Sequence, residues 1–193
     1  MDKQTIRQIL TSYQKKRIEP GKLAPAAVIV PIFCEMDECH IVFAKRSQNV
    51  TFHKGQFCFP GGRPNKGETS LLTTALRESR EEVGIKPEDI EILGELDDQV
   101  TTSGYVVRPF VGYIHHPYDL MSDGCEVEEI INVPLAYLLN PKNWRQKVTS
   151  DGKSQTVSYS IDYQGRIIWG ATARILRQFV QLLGEKGGAS PRQ

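Results

Sequence analysis

GGRPNKGETSLLTTALRESREEVGI, residues 61–85, joins a glycine pair to an acidic helical segment. Hydrophobic spacing predicts a helix over 69–83, with Thr69 or Ser70 as its N-terminal cap and Gly84 where a left-handed residue closes a helix. At about 100° per residue, Glu78, Glu81 and Glu82 share an arc of roughly 100°. Leu72, Leu76, Ser79 and Val83 lie on a separate arc that can pack on a sheet, so the acids are expected to face outward. Ser79 suits the buried arc if its hydroxyl bonds back to a helix carbonyl. Like charges at helical i, i+3 and i+4 spacing repel by roughly 0.2–0.5 kcal/mol per pair, so something should compensate. Two readings are open: a solvated face neutralised by Arg77 and Arg80, or a seat for a hard divalent cation, Mg²⁺ or Mn²⁺.

Working outward, Ala26 to Phe33 is a continuous apolar run that reads as a buried strand. Pro31 cannot donate to a ladder, which predicts a sheet edge or bulge at that end. Met36-Asp37-Glu38 reads as a hairpin turn into a strand over 40–45. Downstream, 90–96, 105–114 and 127–133 read as strands and 134–139 as one helical turn. A hairpin over 156–169 turns at Gln164-Gly165, and a helix over 171–183 stops at Gly184. Ile6, Ile9, Leu10 and Tyr13 behind Asp2 predict an amphipathic helix over 3–16, with Lys15, Lys16 and Arg17 as favourable cations at its end. These elements define an α+β fold, an α/β/α sandwich with a mixed β-sheet between helices. The expected organisation is a helical extension over 1–20, one domain over 21–184 and a disordered tail over 185–193.

The chain has 193 residues, with 24 Lys and Arg against 23 Asp and Glu, enough to bury a core without structural metal or disulfides. That balance excludes a nucleic-acid-binding polycation and an acidic disordered chain. It also hides two unbalanced pieces. Residues 41–67 carry Lys45, Arg46, Lys54, Arg63 and Lys66 and no acid, whereas 68–98 carry ten acids against Arg77, Arg80 and Lys86. A basic segment adjoining an acidic helix suits a small phosphorylated ligand. Four cysteines, Cys34, Cys39, Cys58 and Cys125, are too few for a disulfide scaffold and fit a reduced setting. Cys34, Cys39 and His40 lack the second pair a zinc site needs. With no membrane-length apolar run and no signal-peptide core, a cytoplasmic protein without membrane contact is expected. An edge strand or the outer face of the first helix offers a surface for a homodimer.

Gly62, Glu68, Arg77, Glu78, Glu81, Glu82, Gly84 and Ile85 together resemble the signature of the Nudix hydrolases, which cleave a diphosphate linked to a second moiety. Eight residues separate Glu68 from Arg77 where the general signature has seven, and Ser79 replaces an aliphatic residue. The resemblance implies that Glu78, Glu82 and Glu81 ligate Mg²⁺ or Mn²⁺, with the Gly61 carbonyl as a further ligand and Arg77 orienting a glutamate. Glu126 and Glu128, in Glu126-Val127-Glu128-Glu129, resemble the further acid that completes such sites as ligand or base. Read as residues alone, they fit equally an alternating strand with its polar side outward.

A second motif, running from Val42 to Arg46-Ser47, then Gly55, then Phe59-Pro60-Gly61-Gly62, is similar to the coenzyme A pyrophosphatase branch of that family. The eight-residue spacing is common there, and later segments carry the likeness to about residue 183. Ala44 and Thr51 stand where that motif usually has threonine and arginine. The branch implies a metal-dependent pyrophosphohydrolase that splits coenzyme A or acyl-coenzyme A into 4′-phosphopantetheine and adenosine 3′,5′-bisphosphate. Arg46 offers a bidentate fork for phosphate, and Lys45, Lys54 and Arg63 can add positive charge. His53 reads as ordering a turn rather than as a base, and His115-His116 as a strand end, since neighbours on a strand point to opposite faces. Two alternatives stay open: a Nudix hydrolase for ADP-ribose, a dinucleotide polyphosphate or a damaged nucleotide, and a non-catalytic nucleotide-binding module.

Overall fold

The computed structural model describes residues 1–193 apart from 37, 51–52, 116, 151–154 and 187–193. Thr51, His116 and most of the expected tail therefore lie outside the described residues. The central strand, β1 (Ala24–Glu35), pairs in parallel with β7 (Tyr105–Ile114) over nine register positions from Ala24↔Tyr105 to Ile32↔Tyr113. On its other side it meets first β4 (Gly61–Gly62) and then β2 (Glu38–Arg46), both antiparallel. β2 continues to β3 (Phe57–Cys58) and β8 (Val127–Pro134), while β7 carries β5 (Ile90–Glu95) and β6 (Gln99–Val100). A smaller antiparallel sheet joins β9 (Trp144–Ser150), β10 (Gln155–Tyr163) and β11 (Arg166–Trp169).

The apolar run of β1 is explained by burial on both faces. Ala27 and Ile29 pack with Phe110 under α2 (Leu71–Val83), whereas Ala26, Val30 and Ile32 join the core shared by α1 (Lys3–Thr11) and α4 (Gly170–Lys186). Helices on both faces of a mixed sheet give the α+β sandwich expected. Pro31 is not at an edge. Ile29 N–H donates to Pro60 C=O at 2.9 Å, and Pro31, two residues on, would aim its N–H to the same side. β4 pairs with Ala27 and Val28 and β2 begins at Ile32, so the missing donor falls in the gap between two partners.

Several boundaries differ from the sequence reading. α1 ends at Thr11, because the chain beyond it is drawn to two acids of the β5–β6 connection. Tyr13 OH and Lys16 N–H donate to Asp97 at 2.9 and 2.7 Å, and Ile18 N–H donates to Asp98 at 3.1 Å. Arg17 reaches Asp98 and Glu95, and Arg108 forks onto Asp98 with two 3.0 Å bonds. Arg17 is thus a tether to this connection, not a cation at a helix end. α4 begins at Gly170 and runs through Gly184 to Lys186. α3 (Leu135–Leu139) stands where one turn was expected, and Gln164 and Gly165 both take positive φ at the β10–β11 turn.

Cys34 and Cys39, expected to be reduced, are disulfide-bonded. The hairpin register makes them direct cross-strand partners, which brings the two sulfurs together. Cys58 and Cys125 are free. Among the described residues no helix is long and apolar enough to cross a membrane.

Candidate active site

α2 starts behind Ser70, whose hydroxyl accepts from Leu72 N–H at 3.2 Å, and closes at Gly84 with φ +75°. Its acids do not all face water. Glu82 is only 3 % exposed, whereas the Glu81 side chain is 57 % exposed. The difference arises because α2 lies over β1 and β4, and the glycine pair lets the helix come close. Gly61 N–H donates to Glu82 Oε2 at 3.0 Å. A Cβ on Gly62 would stand 2.5 Å from Glu78 Oε1, so that carboxylate packs directly on the β4 backbone. Ser79 is buried as expected, but its hydroxyl has no hydrogen-bond partner and makes no bond back to the helix.

Arg77 organises the outer half of the helix. Its Nε donates to Glu68 Oε1 at 2.7 Å, its Nη1 to Glu78 and Glu81 at 2.8 and 2.7 Å, and its Nη2 to the Arg63 carbonyl at 3.1 Å. The eight-residue spacing therefore still lets Glu68 reach Arg77. The Arg77 guanidinium, with Thr74 Oγ1 and Asn65 N–H, holds the Glu68 carboxyl at about 2. Burial pushes the Glu78 carboxyl up against the opposing pull of Arg77. Burial also lifts Glu82 to about 7; Gly61 N–H and Arg46 oppose that rise, and Glu78 and Glu126 add to it. The neighbouring Cys58 thiol is pushed up by burial to about 12, which leaves it a neutral, unreactive group.

The facing wall comes from the end of β2 and the start of β8. Arg46 Nη1 donates to Glu82 Oε1 at 3.2 Å and Nη2 to Glu126 Oε2 at 3.4 Å. Lys45 pairs with Glu129 but Arg46 pairs with Val127, a bulge that sets Glu128 outside the ladder. That bulge breaks the simple alternation expected of this strand. Glu126 turns to Arg46 and α2, while Glu128 takes Lys45 at 2.6 Å. Asp123 fixes the approach to β8, accepting from the N–H groups of Cys125, Glu126 and Val127 at 2.8–3.1 Å. Sequence reading passed over Asp123, although Asp-Gly before a strand is the sign of such a turn.

Of the residues singled out in the sequence, Gly61, Glu82, Arg46 and Glu126 form one set of contacts, and Arg77, Glu78 and Glu81 form a second beside it on the same helix. Lys45 is engaged by Glu128 and Glu129 at the edge of this group. Lys54 and Arg63 are exposed on the turns flanking β3 and β4. His53 Nδ1 meets Gln56 Oε1 at 3.0 Å within its own turn.

Among the described residues no three His, Cys, Asp or Glu side chains converge as a formed metal cage. The donor set nonetheless fits a hard cation: it is all oxygen, from Glu78, Glu81, Glu82, Glu126 and the Gly61 carbonyl. Glu78 and Glu126 each raise Glu82, and Glu81 and Glu126 each raise Glu78, so the cluster is short of positive charge at its centre.

A buried glutamate clamped by a glycine strand, on an acidic helix beside an arginine, defines a site for phosphoryl chemistry. Residues 22–148 match the model of the NUDIX domain, and the chain belongs to the Nudix hydrolase family. It is 36 % identical over 156 residues to a protein of Photorhabdus laumondii named uncharacterized Nudix hydrolase NudL, covering 81 % of this chain and 83 % of that one. It is 31 % identical over 138 residues to the mouse (Mus musculus) peroxisomal coenzyme A diphosphatase NUDT7, covering 72 % of this chain but 58 % of that protein. In fold it is similar to a MutT/nudix family protein from Enterococcus faecalis, with TM-score 0.54 at 16 % identity, covering 90 % of this chain and 69 % of that one.

Proposed function

We propose that this Nudix hydrolase is a divalent-metal-dependent pyrophosphohydrolase that cleaves the diphosphate of coenzyme A or acyl-coenzyme A. The observation that carries the chemistry is Glu82, buried, tied to Gly61 N–H and facing Glu78, Arg46 and Glu126. Support for the substrate comes from the motif spacing between Arg46 and Gly62 and from the likeness to the mouse coenzyme A diphosphatase.

Glu78, Glu82 and Glu81, with the Gly61 carbonyl, are the residues that would hold Mg²⁺ or Mn²⁺. When bound, the metal neutralises charge on the diphosphate and acidifies a water. The chain's own groups do the rest. Arg77 keeps Glu78 and Glu81 in place through its two Nη1 bonds. Arg46 places a planar, permanently charged fork where the phosphates arrive, and Lys45, Lys54 and Arg63 add positive charge around it. Glu81 and Glu126, the more exposed carboxylates of the cluster, have open faces to accept the proton of the attacking water. The water oxygen ends on one phosphate, and the bridging oxygen departs with the other. No covalent enzyme intermediate is needed.

Coenzyme A carries a 3′-phosphate that dephospho-coenzyme A and ADP-ribose lack. Measured side by side with Mg²⁺, coenzyme A should show a kcat/KM at least tenfold above the other two. Comparable values for all three would replace this substrate with a broader nucleoside diphosphate class, a reading that the engagement of Lys45 by Glu128 favours.

A further inference from the structure

Two arginines serve the glutamates of this site, and they are held very differently. Arg77 spends every nitrogen, with four carboxylate bonds, three of them at 2.7–2.8 Å and one at 3.5 Å, and one carbonyl bond of 3.1 Å. Arg46 is held by single contacts of 3.2 and 3.4 Å to carboxylates on two different elements and neighbours the neutral Cys58 thiol, and its Nε is buried without a hydrogen bond. A guanidinium has five donors in a rigid fork that matches two oxygens of one carboxylate or phosphate. Here the fork is split between Glu82 and Glu126, at the long end of hydrogen-bonding range. Its backbone is nevertheless fixed. Arg46 N–H donates to Gln56 C=O at 3.0 Å, its C=O accepts from Gly55 at 2.9 Å, and Ser47 N–H donates to Glu126 C=O at 2.7 Å. The root of the side chain is anchored while its tip is poorly satisfied.

The tip also sits where positive charge is scarce. Glu82 is buried beside Glu78 and Glu126, and Arg46 is the cation that meets it. We propose, on the reading above that these carboxylates bind a divalent metal, that Arg46 is the stand-in cation of the metal-free protein. It spans Glu82 and Glu126 until a divalent ion takes over the charge of Glu82, and it then turns its fork, including the idle Nε, toward the phosphates of the substrate. The same side chain therefore keeps the empty acidic cluster together and delays phosphate binding until metal is present. Metal and Arg46 compete for Glu82, and by linkage each weakens the hold of the other.

The competition is readable without turnover. Mn²⁺ is titrated into substrate-free protein and the free ion followed by electron paramagnetic resonance, for the wild type and Arg46→Gln. Arg46→Gln should bind Mn²⁺ more tightly, on the order of tenfold, as expected when one competing unit charge leaves a half-buried site. Equal or weaker binding would overturn the proposal. A wild type that binds no Mn²⁺ would instead remove the metal reading on which it rests. The second measurement uses wild-type protein only, so it stands even if the variant is unfolded. Phenylglyoxal modification, mapped by peptide mass, should reach Arg46 severalfold faster with Mn²⁺ than without, relative to exposed Arg80 on α2. An unchanged or slower Arg46 rate would contradict release of its guanidinium.

Discussion

Glu82→Gln is expected to remain folded and to lose about 1000-fold in kcat. The substitution keeps the shape of the side chain and an oxygen for the Gly61 N–H at 3.0 Å, but removes the charge that a metal would need there. Metal stabilisation of phosphoryl transfer is worth several kcal/mol, and about 4 kcal/mol corresponds to 1000-fold. Retention of near wild-type rate would show that Glu82 is no ligand. The fold should tolerate the change, because burial already disfavours the charged carboxylate. With its carboxyl at about 7 instead of 4.5, folded Glu82 keeps a proton that the unfolded chain has released. Stability of the metal-free wild type should therefore fall as pH rises from 4.5 through 7, and the fall should be absent in Glu82→Gln. Thermal melts of both proteins in a chelator across that range test the sign.

Gly61→Ala should be the most damaging single methyl group in the domain. A Cβ there would lie 2.2 Å from the Ala27 carbonyl oxygen and 2.6 Å from Val28 Cα, and Gly61 holds φ +155°. Both contacts are backbone of β1, fixed between β7 and β4, so neither can swing aside. Backbone strain of about 1–3 kcal/mol and overpacking of about 1–3 kcal/mol together predict a melting temperature lower by about 10 °C or more. The distortion also moves the N–H that holds Glu82, so activity should fall with stability. Gly184→Ala is the control: it meets open space on α4 and should leave the melting temperature unchanged or raise it slightly. Equal effects of the two substitutions would contradict the close packing of Gly61 on the β1 backbone.

The helix at the centre of the site was legible because its signals are local. Ser70, the apolar arc and Gly84 stand at fixed spacings, and each does in the fold what such residues do. Depth was not legible. Periodicity puts Glu78, Glu81 and Glu82 on one arc, but only the close approach of Gly61 and Gly62 determines that Glu82 is buried while Glu81 stays in water. The same limit applies to Pro31, whose place inside the sheet depends on where β4 stops and β2 begins. β9 escaped the sequence reading since nearly all its residues are exposed and its apolar content is Trp144 and Val148. The early end of α1 is a tertiary effect, as Asp97 and Asp98, some eighty residues away, hold residues 12–16 out of the helix expected for them. The clasp of Arg46 between Glu82 and Glu126 depends on a bulge in β8 that no local pattern announces.

Purified protein incubated with coenzyme A and Mg²⁺ or Mn²⁺, with products identified by mass spectrometry, tests metal-dependent cleavage of the coenzyme A diphosphate by this Nudix site. Equal amounts of 4′-phosphopantetheine and adenosine 3′,5′-bisphosphate are expected, and none of either when a chelator is present. Intact coenzyme A, or release of inorganic phosphate with dephospho-coenzyme A, would contradict it.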